Sequence, residues 1–421
     1  MPHDPPGQGS SEYAAPASAP PSHPHRIRIE FIDSLRAIAA VYVVLVHAMR
    51  NLLPYEDALI ASHPRGGKIT TFLCVAFLRH GHLAVAVFIV ISGYCLMLPL
   101  ARKGNVRMEG IWPFILRRGR RILPPYYAAL VFSLLLTAAW PAMTYVLTGE
   151  WAAALPSFGP GTLISHLFLY QHWSNHWIMK IDPPMWSIGV EWQIYFLMPF
   201  LFLPMLRWFG RGIMLILSAL LGIVLTYAGE GILPTSQGYI HFVALFAAGM
   251  VAAQICFAPD GKSVRLRNLP FWDKLFFALF VLIVTMLAAE TRKSWDVIPW
   301  IHVVDLALGA TWFLDYLVAA CFVCLLIALC QDAPAPGIRG IFRALHWAPL
   351  VFVGHFSYSI YLIHDPFLRL VCTAGEILHV SALSQYFAAF LLGVPLAIFG
   401  GYLLYLGVER HFISAVPVHS K

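Results

Sequence analysis

From about Phe31 onward the chain alternates long apolar runs with short polar or basic connections, and the runs have the length needed to cross roughly 30 Å of hydrocarbon at about 1.5 Å per residue. Ten can be placed, near 33–53, 82–100, 126–147, 187–207, 212–229, 238–257, 274–290, 308–330, 350–373 and 385–408. The stretch 148–186 is long enough to hold a re-entrant element. The pattern predicts an all-α fold, a polytopic membrane bundle of about ten transmembrane helices. Its expected parts are a disordered segment over 1–30, a membrane domain over 31–412 and a short tail over 413–421.

Residues 1–25 are rich in Pro, Ser, Ala and Gly and hold no Lys or Arg, too polar a composition to bury a core. They do not read as a signal peptide, because the first apolar run carries Arg36 and His47. Composition supports a membrane protein: of 421 residues 59% are hydrophobic and only 12% charged, an apolar excess that no single soluble core would use.

Basic residues set the orientation. With the amino terminus in the cytoplasm, 19 of the 28 Lys and Arg fall on the cytoplasmic side and six on the other, with Arg36, Arg50 and Arg369 in or at the ends of spans. Both termini are then cytoplasmic. The net charge of +7 is largely this topological signal, so it does not point to nucleic acid. The seven cysteines are scattered through apolar runs and read as packing residues; Cys321 and Cys324 have no His near them, and no metal site is expected.

Ionisable groups inside spans cost a few kcal/mol each on insertion scales, so they need a partner, a wet cavity or a chemical role. Arg36 and His47 lie eleven steps apart on one helix, which returns them to within about 20° of the same direction at depths about 16 Å apart. Glu191, in Met185-Trp-Ser-Ile-Gly-Val-Glu191, falls at a depth comparable with His47 and is expected to orient its imidazole. His364 and Asp365 reach a similar layer from the ninth span. The competing structural readings are that Arg36 snorkels to headgroups, that His47 bonds a neighbouring helix, and that His364 is a helix-end residue beside Pro366.

The 101–125 connection carries seven bases against one acid. Its Arg117-Arg-Gly-Arg-Arg121 places paired guanidinium groups where they can clamp phosphate, anionic-lipid anchoring being the alternative. Ser92-Gly93 offers a small step where a ligand or a helix can approach the backbone.

Five segments in order resemble the membrane-bound acyltransferase family 3: Phe31-Ile-Asp-Ser-Leu-Arg36 with His47, Phe88-Ile-Val-Ile-Ser-Gly-Tyr94, Arg117-Arg-Gly-Arg-Arg-Ile-Leu-Pro-Pro-Tyr126, Trp186-Ser-Ile-Gly-Val-Glu191 with Tyr195, and Ser357-Tyr-Ser-Ile-Tyr-Leu-Ile-His364 with Pro366. The resemblance covers about residues 31–412 and implies acyl transfer, often from cytoplasmic acyl-CoA to sugars or related acceptors, in the inner membrane. It implies that His47 is catalytic, with Glu191 and Arg36 beside it. The acyl-CoA side falls to Arg36, Arg117, Arg118, Arg120 and Arg121 with Ser92 and Tyr94. Trp186, Tyr195, His364 and Asp365 are assigned to the acceptor, which could be a carbohydrate, a glycolipid or a metabolite. Gly189 and Trp192 depart from the family's usual residues. No domain is expected beyond the last span, leaving the membrane domain to serve the acceptor. The rival reading is a multi-span transporter or flippase using the same charges.

Overall fold

The computed structural model describes residues 30–50, 80–108, 110–140, 158–229, 239–293 and 311–413. The expected leading segment, the tail from 414, the distal part of the 126–147 run and the first residues of the 308–330 run lie outside these. Among the described residues all regular structure is helical.

Glu30–Arg50 is α1, His82–Arg102 α2 and Ile111–Ala139 α3. α3 begins inside the expected basic connection, so the two Arg pairs sit on a helix and not in a loop. Pro124 and Pro125 lie within it and remove the N–H groups that would bond the carbonyls of Arg120 and Arg121. A compact segment follows: α4 (Pro160–Leu167), two short turns and a buried 3₁₀ turn over Pro183–Met185.

α5 (Trp186–Leu197) runs through a π-helical turn into α6 (Leu203–Gly229). Then come α7 (Phe242–Phe257), α8 (Gly261–Arg267), α9 (Trp272–Lys293), α10 (Thr311–Leu329), α11 (Pro336–Leu345), α12 (Ala348–His355) and α13 (Ser357–Ile377). α14 (Ala382–Ala388) and α15 (Val394–Leu404) close the bundle. Asp260 caps α8 by accepting from the Ser263 N–H at 2.9 Å, and this contact with the helix start holds its carboxyl below the usual carboxylate range.

Seven helical stretches among the described residues are long and apolar enough to cross a membrane, or eight if the α8–α9 pair, bent by 53°, is one span. The difference from ten has physical causes. The expected fourth and fifth runs both fall in one 45-residue apolar stretch, Pro183–Tyr227, which a kink at Gly210 (φ 78°, ψ 173°) divides between them. Forty-five residues are more than twice the roughly 20 that one crossing takes. The expected ninth run becomes α12 and α13, and α13 is a buried helix carrying His364, Asp365 and Arg369, too polar to qualify by composition.

The core lies where α1, α2, α7 and α13 meet. Gly93 on α2 faces the Phe246 carbonyl on α7, and Gly249 on α7 faces the Val90 carbonyl on α2, so neither position has room for a methyl group. The small step after Ser92 therefore admits a helix, the second of the two occupants the sequence allows. Gly354 admits the Asp33 backbone of α1 in the same way. Large apolar side chains left exposed, among them Ile213, Ile216, Leu220 and Val224 of α6 with Phe280 and Val281 of α9, form the surface suited to lipid.

Candidate active site

α1 carries His47 about 25 Å along its axis from Glu30, and α13 brings His364 against it: Nδ1 of His47 and Nε2 of His364 are 2.9 Å apart. Nδ1 of His364 lies 2.7 Å from the Tyr361 carbonyl, one turn earlier on the same helix. A carbonyl only accepts, so Nδ1 of His364 carries a proton. In a neutral ring its Nε2 is then an acceptor, and Nδ1 of His47 must donate to it. The tautomer assigned by this chain of bonds leaves the lone pair of a neutral His47 on Nε2. His364 is fully buried, whereas His47 is half-buried. Tyr361 is itself fixed, donating to the Pro184 carbonyl at 2.9 Å and meeting the Ser187 hydroxyl at 2.6 Å.

Glu191 takes a different place from the one its depth in the sequence suggested. Its carboxylate accepts from the Ser92 hydroxyl and from the Tyr195 hydroxyl at 2.5 Å. The His364 imidazole is an orienting partner of His47. Depth along α5 does not fix which neighbour a side chain faces, and Glu191 turns toward Ser92 on α2, with Tyr195 one helical turn on. Gly189 is required by packing, because the Leu169 carbonyl and His172 occupy the space a side chain would fill.

Arg36 is half-buried, points Nη2 at Cys95 Sγ at 3.8 Å, and lies within electrostatic range of Asp33, Tyr195 and Glu191. The two Arg pairs separate by helix face. Arg118 and Arg121 turn inward, half-buried, while Arg117 and Arg120 are exposed. Tyr195 lies within electrostatic range of Arg118, and Glu409 within range of Arg121 and Arg36. Glu409 is buried and accepts from Ser359 at 2.5 Å. Guanidinium groups from α1 and α3 thus share one interior layer with Glu191 and Glu409. Trp192, the second departure from the family pattern, packs against Gly119 between the Arg pairs.

The remaining expected residues divide. Tyr94, two positions and so about 200° around α2 from Ser92, is fully buried with its hydroxyl 3.4 Å from Cys330 Sγ. Trp186 stacks on Tyr239 with centroids 3.8 Å apart. Asp365 pairs with Arg369 at 2.8 Å. Arg369 also donates to the Ile181 carbonyl at 3.0 Å, holding a β-branched residue at φ 60°. Ser133 donates to Asp182 at 2.9 Å, so the 158–185 segment is tied to both α3 and α13.

Two buried groups escaped the sequence reading. Asp315 on α10 is bonded to His241 at 2.8 Å and has His82 at 3.7 Å. An acid within an apolar run was the available signal. No group of three or more His, Cys, Asp or Glu side chains among the described residues is arranged to hold a metal.

The polar interior of this apolar helical bundle thus centres on paired imidazoles and inward guanidinium groups. The comparisons give the family. Residues 29–406 match the model of an acyltransferase domain, and the chain belongs to the acyltransferase 3 family.

Peptidoglycan O-acetyltransferase OatA of Listeria monocytogenes is 22% identical over 363 residues, covering 82% of this chain and 50% of that protein. Regulator of hypoxia-inducible factor 1 of Caenorhabditis elegans is 26% identical over 214 residues, covering 48% of this chain and 39% of that protein. The chain thus spans half or less of the length of these curated relatives. No solved structure matches.

Proposed function

We propose that the protein moves an acyl group, by default acetyl, from acyl-CoA on the cytoplasmic side of the inner membrane to a hydroxyl of a carbohydrate or related acceptor. The observation that carries this reading is the His47–His364–Tyr361 chain, which leaves a neutral His47 with its basic lone pair at Nε2. The likeness to a peptidoglycan O-acetyltransferase supports both the acetyl group and the carbohydrate hydroxyl.

In this scheme the acceptor oxygen bonds to the thioester carbonyl carbon as the carbon–sulfur bond breaks. The hydroxyl proton passes to Nε2 of His47 and then to the leaving CoA sulfur. His364 positions His47. Arg36, with Arg118 and Arg121, serves the donor's phosphates or the charge that develops on the thioester oxygen. Glu191, held by Ser92 and Tyr195, balances those cations and does not touch the reacting atoms. Trp186 and the segment around it face the acceptor side. About ten crossings with both termini cytoplasmic fit the scheme, because that frame puts the Arg-bearing start of α3 on the side where acyl-CoA is found.

The test is release of free CoA thiol from acetyl-CoA by the purified protein in lipid, with and without envelope glycans. Glycan-dependent release is expected. Absence of release across a panel of acyl-CoAs and extracts would favour the transporter reading instead.

A further inference from the structure

The end of α10 and the amphipathic helix α11 border an open cavity of about 310 Å³ lined by Leu329, Gln331, Pro334, Arg339, Phe342 and Arg343. Its volume lies near the lower end of the range for small-molecule sites, roughly 300–1,000 Å³, enough for a nucleoside and too small for a whole acyl-CoA. α11 buries Ile338 and Leu345 and turns Arg339 and Arg343, one helical turn apart, outward.

Neither guanidinium makes a hydrogen bond or an ion pair among the described residues. The nearby acid Asp332 is already engaged by Arg267 at 3.2 Å and Asn268 at 2.6 Å. Phe342 is held in place by Phe31, with ring centroids 6.3 Å apart, and by His346 at 4.1 Å. An aromatic face beside two uncommitted guanidinium groups is the chemistry that receives a purine carrying phosphate.

The cavity also lies at a suitable depth. Ser34 donates to the Leu345 carbonyl and Phe31 meets Phe342, so α11 crosses α1 at the level of residues 31–34. From Ser34 to His47 is thirteen residues, about 20 Å along the helix axis. From the sulfur of CoA to its first phosphorus is about 13 bonds, or about 16 Å when extended at about 1.2 Å per bond, and the diphosphate adds several more. A thioester at His47 therefore places the nucleotide end at the axial level of this cavity.

We infer that the α10–α11 cavity seats the 3′-phosphoadenosine end of the acyl-CoA donor, with Arg339 and Arg343 on the 3′-phosphate and Phe342 against the adenine. The inference rests on the acyl-CoA reading above. It separates donor recognition into two places: inward guanidinium groups of α1 and α3 along the arm, and α11 at the nucleotide.

The experiment measures binding of CoA and of dephospho-CoA, which lacks only the 3′-phosphate, to the purified full chain in nanodiscs of phosphatidylcholine. The comparison includes Arg339→Gln/Arg343→Gln, and each measurement is repeated with phosphatidylglycerol added. Both arginines are exposed, so the double variant is expected to fold. Wild type should bind CoA about tenfold or more tightly than dephospho-CoA, and the variant should bind the two alike. Addition of phosphatidylglycerol should leave the wild-type preference intact.

CoA binding whose 3′-phosphate preference survives in the double variant would overturn the cavity assignment while leaving the donor reading intact. A preference abolished by phosphatidylglycerol would assign the arginines to lipid headgroups. Failure of wild type to bind CoA at all would remove the donor reading and the cavity assignment together.

Discussion

Nδ1 of His47 and Nε2 of His364 stand 2.9 Å apart although 317 residues separate them in the chain. The distance joins the first helix to the thirteenth and makes the basicity of one ring depend on the placement of the other. His364→Ala should lower kcat by about 100-fold with little change in KM, because the partner that selects the tautomer is gone while the donor and acceptor contacts remain. Steady-state kinetics on protein with an unchanged melting profile check this. A change confined to KM would assign His364 to substrate binding.

Glu191 and the inward arginines form a mutually balanced layer. Removing the carboxylate in Glu191→Ala takes away the acceptor of two hydroxyls and a charge near the half-buried cations and should cost about 2–4 kcal/mol, whereas Tyr195→Phe removes one hydrogen bond and should cost about 1 kcal/mol. Thermal unfolding in detergent, followed by tryptophan fluorescence, ranks the two. Equal losses would contradict the charge-balance role.

The α2–α7 contact leaves no space at Gly93 or Gly249. Adding a methyl group at either forces the helices apart, and Gly93→Ala or Gly249→Ala should each destabilise by about 1–3 kcal/mol. Gly212, with nothing within 4 Å of the position a Cβ would take, is the control, and Gly212→Ala should melt like wild type.

Asp182 sits between spans, almost wholly buried, with Oδ1 accepting no hydrogen bond among the described residues. Burial, and then the charge of Asp365, raise its carboxyl pKa well above the usual carboxylate value. The folded state thus favours the protonated form, so this residue contributes less to stability as pH rises from the unfolded carboxylate pKa through the raised folded one. Asp182→Asn should therefore stabilise the protein relative to wild type more at pH 8 than at pH 5, by melting temperature. A variant that destabilises more at pH 8 would show that Arg369 keeps the carboxylate ionised.

Much of this architecture was legible in sequence because lipid imposes a simple code. Apolar run lengths gave the helices, and charges interrupting those runs drew attention to Arg36, His47, Glu191 and His364. Partnerships were not legible, since depth along a helix does not fix which neighbour it faces. Glu191 faces Ser92 and Tyr195, and Tyr94 lies about 200° around α2 from Ser92. The polar character of α13 likewise depends on tertiary packing. Asp315 with His241 was within reach of the rule that singled out Glu191.

The central claim is that His47 removes the acceptor proton. The most direct measurement is the single-turnover transfer of labelled acetyl from acetyl-CoA to a glycan acceptor in nanodiscs, wild type against His47→Ala, with CoA binding measured on the same samples. The account predicts a loss of about 100-fold or more in the transfer rate with donor binding retained. Wild-type transfer by a folded His47→Ala protein would contradict it.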